Sequence, residues 1–206
     1  MAESLTPLSV IVVGLLRERD MHPYEMMRLI RQRGDDRLVT IANGTFYHTV
    51  TRLERRGYAA SVGIDRAGNR PARTTYRLTE RGAEAGAQWV RQELPRLGRL
   101  TEFRVALSES HDLPRGEVID LLTQRRAALA EYTAELRDRL AAAAAREVPV
   151  QFLVEIERES AILDADFAWL DGFLSRLADP TVAWGIDELP VETRERLDAF
   201  RESVIS

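Results

Sequence analysis

The sequence predicts a mainly α-helical chain with one small β-hairpin. It reads as a winged helix-turn-helix domain over residues 1–100 followed by a helical domain over 101–206. Three observations carry this. Three helix-forming segments precede two short strand candidates and a fourth helix, all before Leu97, and that order is the winged helix-turn-helix order. Apolar residues then recur at spacings of three and four from Leu153 to Leu177. Finally, charge divides between the halves. Residues 1–80 hold 13 Arg against 9 acids, net +4, and residues 81–206 hold 16 Arg against 24 acids, net −8.

Each element has a local cause. Thr6-Pro7 starts the first helix, with Thr at the N-cap and Pro at the first helical position. Leu8, Ile11, Val12, Leu15 and Leu16 give it a buried stripe. Asp20–Pro23 reads as a turn, and Pro23 opens a second helix to about Arg33, broken by Gly34. A third helix runs from Asn43-Gly44 to about Arg56 and stops at Gly57. Strands are expected at Tyr58–Ile64 and Thr74–Leu78, around a basic turn cluster over 65–71. Thr79 caps a fourth helix through Trp89 to about Leu97. Pro114 and Pro149 open two later helices, the first extended by Ala141–Ala145.

The third helix is the most informative segment. At 100° per residue, Phe46, Val50 and Leu53 share one face and must pack on the preceding helices. The opposite face carries Thr45, His48, Thr51, Arg52 and Arg55, with no acid among them. A helix that enters the major groove needs this division: an apolar back, and a front of donors that does not repel phosphate. Arg52 and Arg55 are the candidates for reading guanine. In the hairpin, Arg70 and Arg73, and less strongly Arg66, suit the DNA backbone or a narrow minor groove.

The ordered set Tyr47, Leu53-Glu54, Gly57, Arg70-Pro71, Arg73, Tyr76, Leu78-Thr79 and Gly82 resembles the PadR family of bacterial regulators. The stretch "GLLRERDMHPYEMMRLI" is similar to that family's first two helices, so the resemblance covers about the first 85 residues. It implies that Tyr47 touches the DNA backbone, that Tyr24 and Tyr76 support the domain, and that the chain represses transcription as a dimer built on C-terminal helices. The long C-terminal half looks like the larger branch of the family. One departure is Thr74, where the family often carries Lys after the wing arginine.

In the C-terminal half, Leu153, Ile156, Leu163, Phe167, Leu170, Leu174 and Leu177 form a heptad seam with one polar position at Ser160. Val118, Leu122, Leu129, Tyr132, Leu136 and Leu140 recur similarly on the helix from Pro114. The seam is expected to serve a homodimer, with an internal helical hairpin as the alternative. The resemblance also implies, for some members, a small aromatic effector between the domains or at the dimer interface. Trp169, beside the seam, and Trp89, at the junction, are the candidate contacts, although aromatics at helical spacing also serve as plain core.

Other classes fit poorly. The three histidines lack metal-ligand spacing, and neither a Gly-rich phosphate loop nor a nucleophile elbow is present, so no catalytic residue, metal or cofactor is expected. The chain has no cysteine. Its apolar run Leu8–Leu16 is too short to span a bilayer and lacks a basic leader. A cytoplasmic protein whose partner is double-stranded DNA is the expectation. The competing reading is a winged-helix adaptor that contacts only protein; it would tolerate acids on the face where this chain has Arg52 and Arg55.

Overall fold

The computed structural model describes residues 4–65 and 73–205. Helix α1 (Pro7–Glu18) begins where Thr6 Oγ1 accepts a hydrogen bond from the Ser9 amide at 3.3 Å. Its predicted stripe is buried, and so are Val10 and Val13, because α1 is the central helix on which the rest of the domain packs. Helix α2 (Pro23–Arg33) carries a reciprocal cap: His22 accepts from the start of the helix, and the His22 amide donates to Glu25 at 2.8 Å. Gly34 closes it in the left-handed region, at φ 72°, where a β-carbon is strained. Helix α3 (Asn43–Arg55) follows a 3-10 turn at Asp35–Arg37.

Strands β1 (Ala59–Asp65) and β2 (Arg73–Leu78) pair antiparallel, with Ala59 opposite Leu78 and Ile64 opposite Thr74. Within 20–23, expected as a turn, Met21 exchanges both backbone hydrogen bonds with Tyr76, at 3.0 and 2.9 Å. This adds a one-residue third strand to the wing. Helix α4 (Glu80–Glu93) is capped by Thr79, as expected, but ends earlier than Leu97. Helix α5 (Leu100–Ser108) buries Phe103, Val105 and Ala106 in the same core as α1 and α4, so buried core lies on either side of Leu100.

Helices α6 (Arg115–Ala145) and α7 (Val154–Ala178) form an antiparallel hairpin. Arg126 pairs with Asp171, Arg137 with Asp164 at 2.7 Å, and the Tyr132 hydroxyl donates to Glu159 at 2.8 Å. Part of the expected seam lies inside this hairpin. Leu170 and Leu177 are fully buried within the chain, and Leu163, Phe167 and Leu174 pack on the same core. Leu153 and Ile156 are half-buried at the start of the helix. The seam is therefore covered chiefly by α6 of the same chain. Heptad spacing states that a helix needs a partner, not which chain supplies it.

One residue on α6 breaks the apolar pattern. Arg125 is buried, its guanidinium 3.5 Å from the Phe103 ring centre, donating to the Arg96 carbonyl and to Asp166. It locks α5, α6 and α7 together. Arg91 of α4 binds Glu117 of α6 at 2.6 Å across the same junction. Helix α8 (Val191–Ile205), which the sequence pattern left unassigned, folds back onto α2; there Val204 is buried and Arg201 meets Glu18 at 2.6 Å.

Candidate nucleic-acid interface

The geometry of α3 follows from its sequence. Phe46, Val50 and Leu53 are buried, as the rotation predicts, and Thr49 joins them by turning its hydroxyl to the Thr45 carbonyl at 2.9 Å. Thr45, Tyr47, His48, Thr51 and Arg55 are exposed on the outer side. Thr51 also donates to the carbonyl one turn back, Tyr47, at 3.1 Å, which leaves its lone pairs outward.

The two candidate arginines differ. Arg52 is half-buried: its Nη2 donates to Thr6 Oγ1 and Ser9 Oγ, both at 3.3 Å. The hydroxyls that start α1 thus hold Arg52 at the wall of a groove of about 680 Å³, lined also by Thr45, His48, Thr51 and Arg55. Arg52 stands beside the first turn of α1, where the Ser9 and Val10 amides are already taken by Thr6 and the guanidinium is the donor left to the groove. Arg55 is exposed on the last turn, and among the described residues no such tether holds it.

Several residues of the ordered motif have structural work. Leu53 is core, while Glu54 holds the hydroxyl of buried Tyr76, whose acidity is weakened by burial first and by Glu54 second. Gly57 adopts φ 71° to end the helix. Tyr58 is buried, with Arg56 and Arg81 within 4.9 and 5.2 Å of its ring centre. Tyr47 is 45% exposed and meets Phe46 edge-on. Tyr24 is 53% exposed, whereas Tyr76 is buried. In the wing, Arg66 and Arg70 lie outside the described residues, and for Arg73 only the backbone is described, paired with Asp65.

The aromatic candidates part company. Trp89 is 3% exposed and packs within the hydrophobic core. Trp169 is 39% exposed and stacks on Phe173 at 5.3 Å. Among the described residues, no group of three His, Asp or Glu side chains is placed to hold a metal, and no helix is long and apolar enough to cross a membrane.

Fold and site together define a winged helix-turn-helix protein with a long helical C-terminal domain. Residues 12–88 match the model of the transcriptional regulator PadR-like family. Among solved structures, the chain is similar to Bacillus subtilis PadR in complex with operator DNA, at 16% identity over 82% of this chain and 98% of that one, with a TM-score of 0.40. It is also similar to smu.1604c from Streptococcus mutans UA159, at 19% identity over 81% and 98%, TM-score 0.38. The B. subtilis PadR complex with p-coumaric acid gives 16% identity over 84% and 100%, TM-score 0.38. No curated protein sequence matches the chain.

Proposed function

We propose that the chain is a sequence-specific DNA-binding repressor that acts as a homodimer on an inverted repeat and is released by a small ligand. The observation that carries this is the division of α3: an apolar back buried to within 1% of complete, and an acid-free front of Thr45, His48, Thr51 and Arg55. Arg55 reads a base edge in the major groove, and Thr45, His48 and Thr51 flank it. Tethered Arg52 takes a backbone phosphate, as does Tyr47. Arg70 and Arg73 of the wing grip the flanking backbone.

The dimer surface consistent with this fold is the outward face of α7, because its seam is already covered. Ile162 is 48% exposed and Trp169 39%, with Ala161, Ala165 and Ala168 exposed between them. Two-fold pairing there would present two α3 helices to half-sites about one DNA turn, ~34–36 Å, apart.

The test is gel-shift binding to DNA from the protein's own upstream region, titrated with salt and random competitor. A discrete shift that survives competitor and weakens steeply with salt is expected. A folded dimer that gives no shift at low salt would return the chain to the adaptor reading.

A further inference from the structure

Between the winged-helix domain and the C-terminal segment lies a cavity of about 610 Å³, within the usual range for a small-molecule site. Its floor is α1, and its far wall is the 183–189 loop and α8. Glu109, at the end of α5, points its carboxyl into the space left by Gly14, where a β-carbon would lie 2.0 Å from Oε2. No hydrogen bond or ion pair to that carboxyl occurs among the described residues. Burial raises it first, and Asp112, Asp35 and Glu18 raise it further, so that it titrates at about 8.

The charges around it decide what fits. Every arginine lining the cavity already has an acid. Arg17 binds Asp112 at 2.7 Å, Arg33 binds Glu18 at 2.6 Å, and Arg201 binds both Glu18 and Asp198. Burial raises Glu18, but Arg33 and Arg201 together hold it below the ordinary carboxylate value. Asp35 and Asp112 are both raised, chiefly by burial. Acids thus outnumber paired guanidiniums, and an anionic ligand would have to break an existing pair. Apart from Ser108 and His111, the rest of the lining is apolar or aromatic, including Ile186, Leu189, Leu197 and the indole of Trp184, which is fixed by its Nε1 donating to the Leu113 carbonyl at 3.0 Å.

We infer that this cavity binds a small organic cation with an apolar or aromatic body, its charged nitrogen on the Glu109 carboxylate and its body against Trp184 and Leu197. The amine enters as the ammonium and the Glu109 proton leaves to solvent, so binding releases a proton near neutral pH and strengthens as pH rises toward 8. His111, Asp112, Arg17, Glu18, Arg33, Asp35 and Arg201 are the other charged groups facing this position. Since the ligand would bridge α1 and α8, it would set how the C-terminal segment sits on the winged helix. That consequence for DNA rests on the repressor reading, whereas the binding itself does not.

The experiment is calorimetric titration of the full chain with tryptamine and, as the anionic counterpart, indoleacetate, in two buffers of different ionisation enthalpy. Tryptamine should bind at one site per chain with proton release, and indoleacetate should not bind. Glu109→Gln should weaken tryptamine about tenfold to a hundredfold, the loss of one charge-assisted contact, and remove the proton release. Should that variant fail to fold, Ile186→Arg adds a guanidinium at the exposed rim and should weaken tryptamine likewise. Equal binding of both probes, unchanged binding by the folded Glu109→Gln variant, or no tryptamine binding into the millimolar range would overturn the inference. The arms separate cleanly: tryptamine binding without any DNA shift sinks the repressor reading alone, and a specific DNA shift without tryptamine binding sinks this site alone.

Discussion

Gly82→Ala offers a sharp test of how α4 is seated on the wing. In an ordinary helix this substitution stabilises by up to about 1 kcal/mol. Here the added β-carbon would lie 2.0 Å from the Tyr58 carbonyl oxygen and 2.8 Å from its carbon, with Leu78 Cδ1 at 2.9 Å. The first contact is 1.0 Å inside the 3.0 Å that real β-carbons respect, and the obstacle is backbone, which cannot rotate away. The Tyr58 carbonyl accepts from the Thr79 amide at 3.2 Å, so relief means parting β1 from the start of α4 and losing that bond. Overpacking costs about 1–3 kcal/mol and the bond about 1 more, a net loss of roughly 2–4 kcal/mol. For a chain this long, that lowers Tm by about 4–16 °C. Urea denaturation followed by circular dichroism measures it, with Gly116→Ala as the control. No atom lies within 4 Å of a β-carbon at Gly116, and that variant should gain about 0.4–1 kcal/mol. If Gly82→Ala were as stable as the parent, the seating of α4 described here would be wrong.

Three further outcomes are expected. Arg55→Ala should relax specificity at one base position by about 1–3 kcal/mol, while Arg52→Ala weakens binding on all sequences and reduces the salt slope by about one; footprinted binding to point-mutated sites separates the two. Ile162→Glu should leave the thermal transition in place and shift light-scattering mass toward a monomer, whereas Leu170→Ala should cost about 2–5 kcal/mol of stability and spare the dimer; the reverse pattern would return the seam to the dimer interface. Glu109 has a folded value of about 8 against 4.5 unfolded, so the folded chain holds the extra proton between those values and loses stability as pH rises through that window. Glu109→Gln should flatten the stability profile over that range, and an unchanged slope would assign the dependence to other groups.

Local rules determined much of the N-terminal domain. Thr6-Pro7, Pro23, Gly34, Gly57 and Thr79 punctuate the chain through backbone geometry and capping, which act within a turn of the residue concerned. The back of α3 was legible for the same reason: helical period and burial go together at Phe46, Val50 and Leu53. Tertiary packing decided what period cannot express. The seam on α7 was visible in the sequence, but that α6 of the same chain covers it depends on an eight-residue connection and on the Arg126–Asp171 and Arg137–Asp164 pairs across the hairpin. Arg125 is buried because Phe103 and Asp166 close around it, a contact that no local pattern expresses. Arg52 and Arg55 share a helical face in sequence, yet only contact with Thr6 and Ser9, more than 40 residues away, makes one a tethered guanidinium and leaves the other exposed. The Glu109 cavity had no motif at all. It arises because Gly14, the turn after α5 and α8 meet in space, and the electrostatics of a buried carboxyl depend on who its neighbours are rather than on its place in the chain.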